Sequence, residues 1–363
     1  MKIPIAKPDI GKDEIQAVVE TMKSGWVSQG EKVEELEESF AKYCGVKYGV
    51  AVSSGTAALH IALTALDIKR GDEVITTPLS CVATPNPIVY LNAKPVFVDV
   101  DSTTLNVNPS LIEKKVTRKT RAILPVHVFG HPVDLDPLME VAEKHGLYVI
   151  EDAAHAHGAR YKGKKVGSFG HVSCFSFYAD KLITTVEGGM VLTNDEELAE
   201  KMRLLRSFGM SKREKFYHPI LGYNYKLSDI HAAIGIVQLK KLDTYIMKKR
   251  ENATYLNEKL NDFNLKLPNE EDYAFNVYHV YHILVNKGKQ KIVEHLEKEG
   301  IETRPLLCFI PAQPAYQHEY DANECPIARD AHQKGFYVSN SPQLTRNELN
   351  FIASALRKAV SER

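Results

Sequence analysis

This sequence of 363 residues predicts an α/β protein built on a mostly parallel central sheet, followed by a smaller α+β domain. Three observations carry that reading. Between about residue 50 and residue 200, short apolar runs alternate with amphipathic segments. Several of these runs are unbroken, as expected of strands covered by helices on both faces. After about residue 240 a long charged segment with helical character leads into an alternating strand. Residues 1–240 are therefore read as the large domain and 241–363 as the small one.

The elements follow in order. GVAVSS is a strand, and TAALHIALTAL a helix with Ala58, Ile61, Ala62 and Ala65 near one face. DEVITT, PVFVDV and RAILPVHV are further strands. Between the last two, Asn108-Pro109 is a helix-start signal. LDPLMEVAEKH is a helix, LYVIEDA a strand, and residues 172–177 another. In the second domain the charged helix is placed at 244–260, VYHVYHILV is a strand and residues 287–299 are helical. The last helix begins where Thr345 and Glu348 have capping-box spacing.

Composition excludes several classes. Lys plus Arg and Asp plus Glu number 46 each, so no net field favours nucleic acid or an anionic membrane. No run approaches the roughly 18 apolar residues of a membrane span, and the first residues lack the pattern of a secretory signal. The five cysteines are scattered, with no C-x-x-C pair, which argues against a disulfide framework or structural zinc. A reducing cytoplasm is the expected setting.

Ligands of open parallel sheets bind at the carboxyl ends of the strands. After VAVSS, Gly55-Thr56-Ala57 opens a helix, where a small residue, a hydroxyl and free N–H groups make a phosphate seat or a plain serine cap. No G-x-G-x-x-G follows a strand and no P-loop occurs, which disfavours dinucleotide and nucleoside-triphosphate sites. After LYVI come Glu151, Asp152 and His155; His155 and His157 lack a third metal ligand, so no metal is expected. An aspartate at a strand end needs a cation to stay ionised, and a protonated pyridine nitrogen would serve. Next, Ser176 closes a strand, Lys181 follows, and Glu187-Gly188-Gly189 opens another. An imine-forming lysine, an acid for the pyridinium nitrogen and a phosphate cradle are what pyridoxal 5'-phosphate requires. Lys181, Asp152, and Gly55 and Thr56 with Ser176 supply them.

These residues lie in SGWVSQG, SSGTAALHIAL, GDEVITTPLSCVAT, PVHVFG, VIEDAAHAHGARYKGKKVGSFG, FSFYADKLITTVEGGM and LGYNYKLSDIHAAIGIVQL. That series resembles the DegT/DnrJ/EryC1/StrS sugar aminotransferases over nearly the whole chain. The resemblance implies the fold-type I architecture and a cofactor alternating between pyridoxal 5'-phosphate and pyridoxamine 5'-phosphate. It makes Lys181 the Schiff-base lysine and proton shuttle, and Asp152 the pyridinium partner. Gly55, Thr56 and Ser176 would bind the phosphate, and Asn224 would reach it from the neighbouring subunit of a homodimer, or of a higher oligomer. His155 would lie beside the ring hydroxyl, and Cys81 stands where the family usually has a stacking aromatic. Val186 replaces a frequent glycine before E-G-G.

Within the family, FYHPILGYNYKLSD and GIETRP resemble a branch that aminates the C4 ketone of a GDP-linked 4-keto-6-deoxyhexose, with nitrogen from glutamate, for cell-surface polysaccharides. His127, Tyr217 and Arg304 are the substrate contacts this implies, Arg304 as a cation for the diphosphate. UDP- or dTDP-linked sugars are the alternative acceptors. Family members that dehydrate instead carry histidine at the lysine position, and a non-catalytic regulator is expected to lose part of the lysine, aspartate and phosphate set.

Overall fold

The computed structural model describes residues 2–211, 214, 216–317 and 320–361. Seven strands form the large sheet: β1 (Tyr48–Val52), β2 (Glu73–Thr76), β3 (Lys94–Phe97), β4 (Thr120–Leu124), β5 (Tyr148–Asp152), β6 (Val172–Ser176) and β7 (Gly189–Thr193). Their order is β1-β7-β6-β5-β4-β2-β3. The five from β6 to β3 are parallel, and only β7 runs against its neighbours. The unbroken apolar runs are the buried strands. One run is interrupted: RAILPVHV is a regular strand only to Leu124, since Pro125 has no N–H to donate, and it keeps one further bridge, Val126 to Asp152, before the chain turns through Phe129 at φ 54°.

Helices cover both faces. On one side lie α2 (Glu31–Cys44) and α4 (Leu135–His145), with α1 (Lys12–Lys23) packed on the long helix Asp229–Leu260; on the other lie α3 (Gly55–Ala65) and α5 (Glu196–Arg206). The Asn108-Pro109 start signal opens only a three-residue turn, Pro109–Leu111, where the Asn108 side chain accepts from the Ser110 N–H.

The charged helix expected from residue 244 begins much earlier. Helix α6 runs unbroken from Asp229 to Leu260, 32 residues, with Ser228 as its cap. Its first half packs on α1 and α2, and its second half enters the small-domain core with Ala253, Leu256 and Leu260. Residue 240, where the sequence divides the chain, is therefore mid-helix. The rest of that core is an antiparallel sheet centred on Tyr281–Val285 and Gly335–Val338, backed by helices Lys289–Lys298 and Arg346–Ser361. The last has its capping box: Thr345 N–H donates to Glu348 Oε2 at 2.7 Å. The chain also returns to the large domain, where Cys308–Phe309 pairs with Leu79–Ser80. Among the described residues no helix is long and apolar enough to cross a membrane.

One buried ion pair pins the edge strand β1 to α2 and α5. Arg206 Nη1 donates to Glu37 Oε1 and, at 2.8 Å, to the Ala51 carbonyl; Glu37 Oε1 also accepts from the Ala51 N–H at 2.8 Å. Both side chains are buried. Removing one partner leaves the other charge stranded, so Glu37→Ala is expected to cost about 3–5 kcal/mol. Glu200→Ala, which breaks an exposed pair with Arg203, should cost under about 1 kcal/mol. Urea midpoints of the two variants make the comparison.

Candidate active site

Three strand or helix ends and one loop converge at the carboxyl edge of the parallel strands. β5 ends in Asp152, β6 in Ser176, α3 begins with Gly55 and Thr56, and the loop from β6 to β7 carries Lys181. They enclose a cavity of about 210 Å³ that Cys81, Thr84, His155 and Glu187 also line. Gly55, Thr56, Cys81, Asp152, His155, Ser176 and Lys181 thus come together from a stretch of more than a hundred residues.

The seat formed by α3 is tight. Ser54 Oγ accepts from the Ala57 N–H at 3.1 Å, and the N–H groups of Gly55 and Thr56 precede it without helical acceptors. A Cβ at Gly55 would stand 2.8 Å from Ser176 Cβ, and one at Gly189 would stand 2.5 Å from the Ser54 carbonyl. Glycine is therefore required twice for this approach. The result is a hydroxyl beside free helix-start donors, a cradle that fits a phosphate.

Asp152 is buried, with Oδ2 accepting from Thr84 Oγ1 at 2.8 Å and Oδ1 from the Ala154 N–H at 3.2 Å. Thr84 has one proton and spends it on Asp152, so Ser80, 2.8 Å away, donates to Thr84 in turn. Burial pushes the carboxyl's pKa up, against the pull of Thr84, the Ala154 N–H and the Lys181 charge. A cation on the cavity side would offset that cost of burial and keep the carboxylate ionised. Lys181 Nζ lies 3.3 Å from Asp180 Oδ1, its side chain 13% exposed. The His155 ring stacks on His279, centroids 4.6 Å apart, and its buried Nδ1 has no partner among the described residues. Burial, with the Lys181 charge, holds its pKa well below the usual imidazole range, so the ring is neutral.

The structure places the remaining expected residues elsewhere. His127 is corrected: it is fully buried, its Nδ1 accepts from the Val133 N–H at 3.1 Å, and its Nε2 therefore donates to Glu151 Oε2, also at 3.1 Å. Glu151 points away from Asp152, as strand alternation demands, and accepts from the Gly167, Phe169 and Gly170 N–H groups. The pair clips a loop and has no surface to offer a substrate. His157 is likewise a core ring, packed on Phe40, Phe175 and Phe177. Arg304 is exposed and bound to Glu302 at 2.7 Å. Tyr217 and Asn224 are exposed and outside this chain's cavity. Thr84 escaped the sequence reading, since nothing local marks a threonine that meets its acid 68 residues on.

The profile of the DegT/DnrJ/EryC1/StrS aminotransferase family matches residues 8–357. The chain belongs to that family. It is an aminotransferase of fold-type I, and pyridoxal phosphate is its cofactor. It is 38% identical to the GDP-perosamine synthase of Escherichia coli O157:H7, over 99% of both chains. Among solved structures it resembles the sugar aminotransferase Spr1654 of Streptococcus pneumoniae in its PMP form, at 27% identity and TM-score 0.97, over 100% and 98% of the two chains. It also resembles S. venezuelae DesV in complex with a ketimine intermediate, at 34% identity and TM-score 0.92, over 96% and 94%.

Two outcomes follow for this site. Gly55→Ala should drive Cβ into Ser176 and weaken cofactor retention by about tenfold or more, the loss of one charge-assisted contact; titration of the apo protein with pyridoxal phosphate measures it. Val186 holds φ 73°, a left-handed conformation that a β-branched side chain tolerates poorly. Val186→Gly should relieve about 1–3 kcal/mol of strain, less about 0.5–1 kcal/mol for glycine's freedom in the unfolded chain. A net rise in the denaturation midpoint is the expected reading.

Proposed function

We propose that this aminotransferase moves an amino group from glutamate to the ketone of a nucleotide-linked 4-keto-6-deoxyhexose, with GDP the preferred carrier, for a cell-surface polysaccharide. The observation that carries this reading is the convergence of Lys181, Asp152 and the Gly55–Ser176 seat on one cavity, in a chain matching a GDP-perosamine synthase end to end.

When bound, pyridoxal phosphate supplies an electrophilic carbon and an electron sink for the amino group in transit. The chain's own groups do the rest. Gly55, Thr56 and Ser176 would bind the phosphate. Asp152, fixed by Thr84, holds a proton on the ring nitrogen by opposing its charge. His155, neutral and with Nδ1 free, can hydrogen-bond the ring hydroxyl. Lys181 is the base and acid that moves a proton at the reacting carbon. Cys81 lines the cavity where an aromatic ring would stack, so the ring is held more by its polar contacts than by a face.

Asn224 is read as the partner's contribution in a homodimer, which fits its exposure outside its own chain's cavity. Arg304, exposed and close to an acid it could exchange for a diphosphate, remains the candidate cation for the carrier. The cytoplasm is the compartment proposed.

The test is a panel of GDP-, UDP- and dTDP-linked keto sugars incubated with glutamate and read by the mass change of ketone to amine. Amination of the GDP sugar by the wild type, and none by Lys181→Ala, is expected. Equal amination of free keto sugars would sink the nucleotide reading, and acceptance of UDP or dTDP sugars alone would move the carrier.

A further inference from the structure

Lys181 also lines a second, smaller cavity, about 60 Å³, between the N-terminal segment, the Lys181 loop and the small domain. Its most unusual member is Lys249, on helix α6. This side chain is buried, yet among the described residues it has no carboxylate within ion-pairing distance. Its Nζ donates to the carbonyl oxygens of His279 at 2.9 Å and Asn340 at 2.7 Å. An ammonium carries three protons. Two are accounted for, and the third has no acceptor among the described residues.

The acids nearby are already engaged. Asp9 accepts from Tyr245 Oη and from Gln343 Nε2, both at 2.7 Å, and Asp180 lies beside Lys181. A second buried group lining the same cavity lacks a partner: His279 is 6% exposed, and its buried Nδ1 has no hydrogen bond among the described residues. The back of its ring stacks on His155, which lines the cofactor cavity. When Lys249 is charged its ammonium is uncompensated, and with the unpartnered imidazole nitrogen of His279 beside the reacting lysine it favours an anion with two acceptor atoms. The space suits a carboxylate and excludes a sugar.

We infer that Lys249 is the anchoring cation for a carboxylate of the amino donor, seated in this inner cavity with His279 as its second contact. The inference rests on the reading of the chain as an aminotransferase that takes an amino-acid donor. It divides the two substrates by space: the donor's carboxylate goes to the inner cavity, the sugar to the larger one.

Burial pushes the Lys249 amine down to about 7, so near neutrality it is part neutral, with both N–H groups on carbonyls. The groups that face it are Lys7, Asp9, Asp180, Lys181, Tyr245, His279 and Tyr337. Of these, Asp180 opposes the downward shift. An arriving carboxylate favours the ammonium, so the site takes up a proton as it fills. Affinity should therefore be fully present below about pH 7 and fall as the pH rises toward 9.

Glutarate, a dicarboxylate without the amine, is the probe, titrated calorimetrically into the cofactor-loaded protein in buffers of different ionisation enthalpy. Proton uptake by the wild type, and binding weaker by about tenfold or more in Lys249→Met but near wild type in Lys249→Arg, are expected. The apparent KM for glutamate should rise in Lys249→Met with little change in that for the sugar. Glutarate affinity unchanged in Lys249→Met, while glutamate still converts the wild-type cofactor, overturns this proposal alone. Failure of every amino acid to convert the wild-type cofactor overturns the donor reading instead. Where Lys249→Met loses its cofactor or its melting transition, the wild type decides: binding without proton uptake between about pH 7 and pH 9 overturns the site.

Discussion

The hydrogen bond from Thr84 to Asp152 is the interaction on which the site's organisation rests. Asp152 is a carboxylate taken out of water at the end of a central strand, and burial raises its pKa and so works against its charge. Thr84, with Ser80 behind it, supplies the donor that holds it in one orientation. The same short segment also pairs with Cys308–Phe309. One short segment thus holds the acid through its side chains and, through its backbone, pairs with a strand more than two hundred residues on.

Lys181 stands between two environments of different character. The cavity toward Asp152 is broad, with Gly55 and helix-start donors set for an anion at its far end. The one toward Lys249 is narrow and carries buried groups whose hydrogen bonding is incomplete. The His155–His279 stack is the wall between them, one ring from each domain. Both rings are held neutral by burial, so the wall adds no charge that would compete with the lysines on either side.

Much of this was legible in the sequence, and the reasons for the rest are physical. Unbroken apolar runs mark strands because both faces of the sheet are covered, and β2, β5 and β6 lie within theirs. The start of α6 was hidden because its first turns pack on α1 and α2 and so lack the polar face that marks a surface helix. The site residues that sit in local patterns, such as Gly55 beside its serine cap or Lys181 before a glycine pair, could be picked out. Thr84, Lys249 and His279 could not, since each acquires its meaning from a partner 30 to 91 residues away. His127 shows the opposite failure. It sits in a conspicuous segment, but its ring is turned inward to hold Glu151.

Helix α6, at about 1.5 Å per residue, is a rod of roughly 48 Å shared by two hydrophobic cores. Its first half cannot lose its packing without exposing α1 and α2, and its second half cannot fray without opening the small-domain core. Helix propagation couples the halves, since each turn is stabilised by the one before it. One continuous helix therefore carries side chains of both cores, so a break within it would disturb the packing on either side.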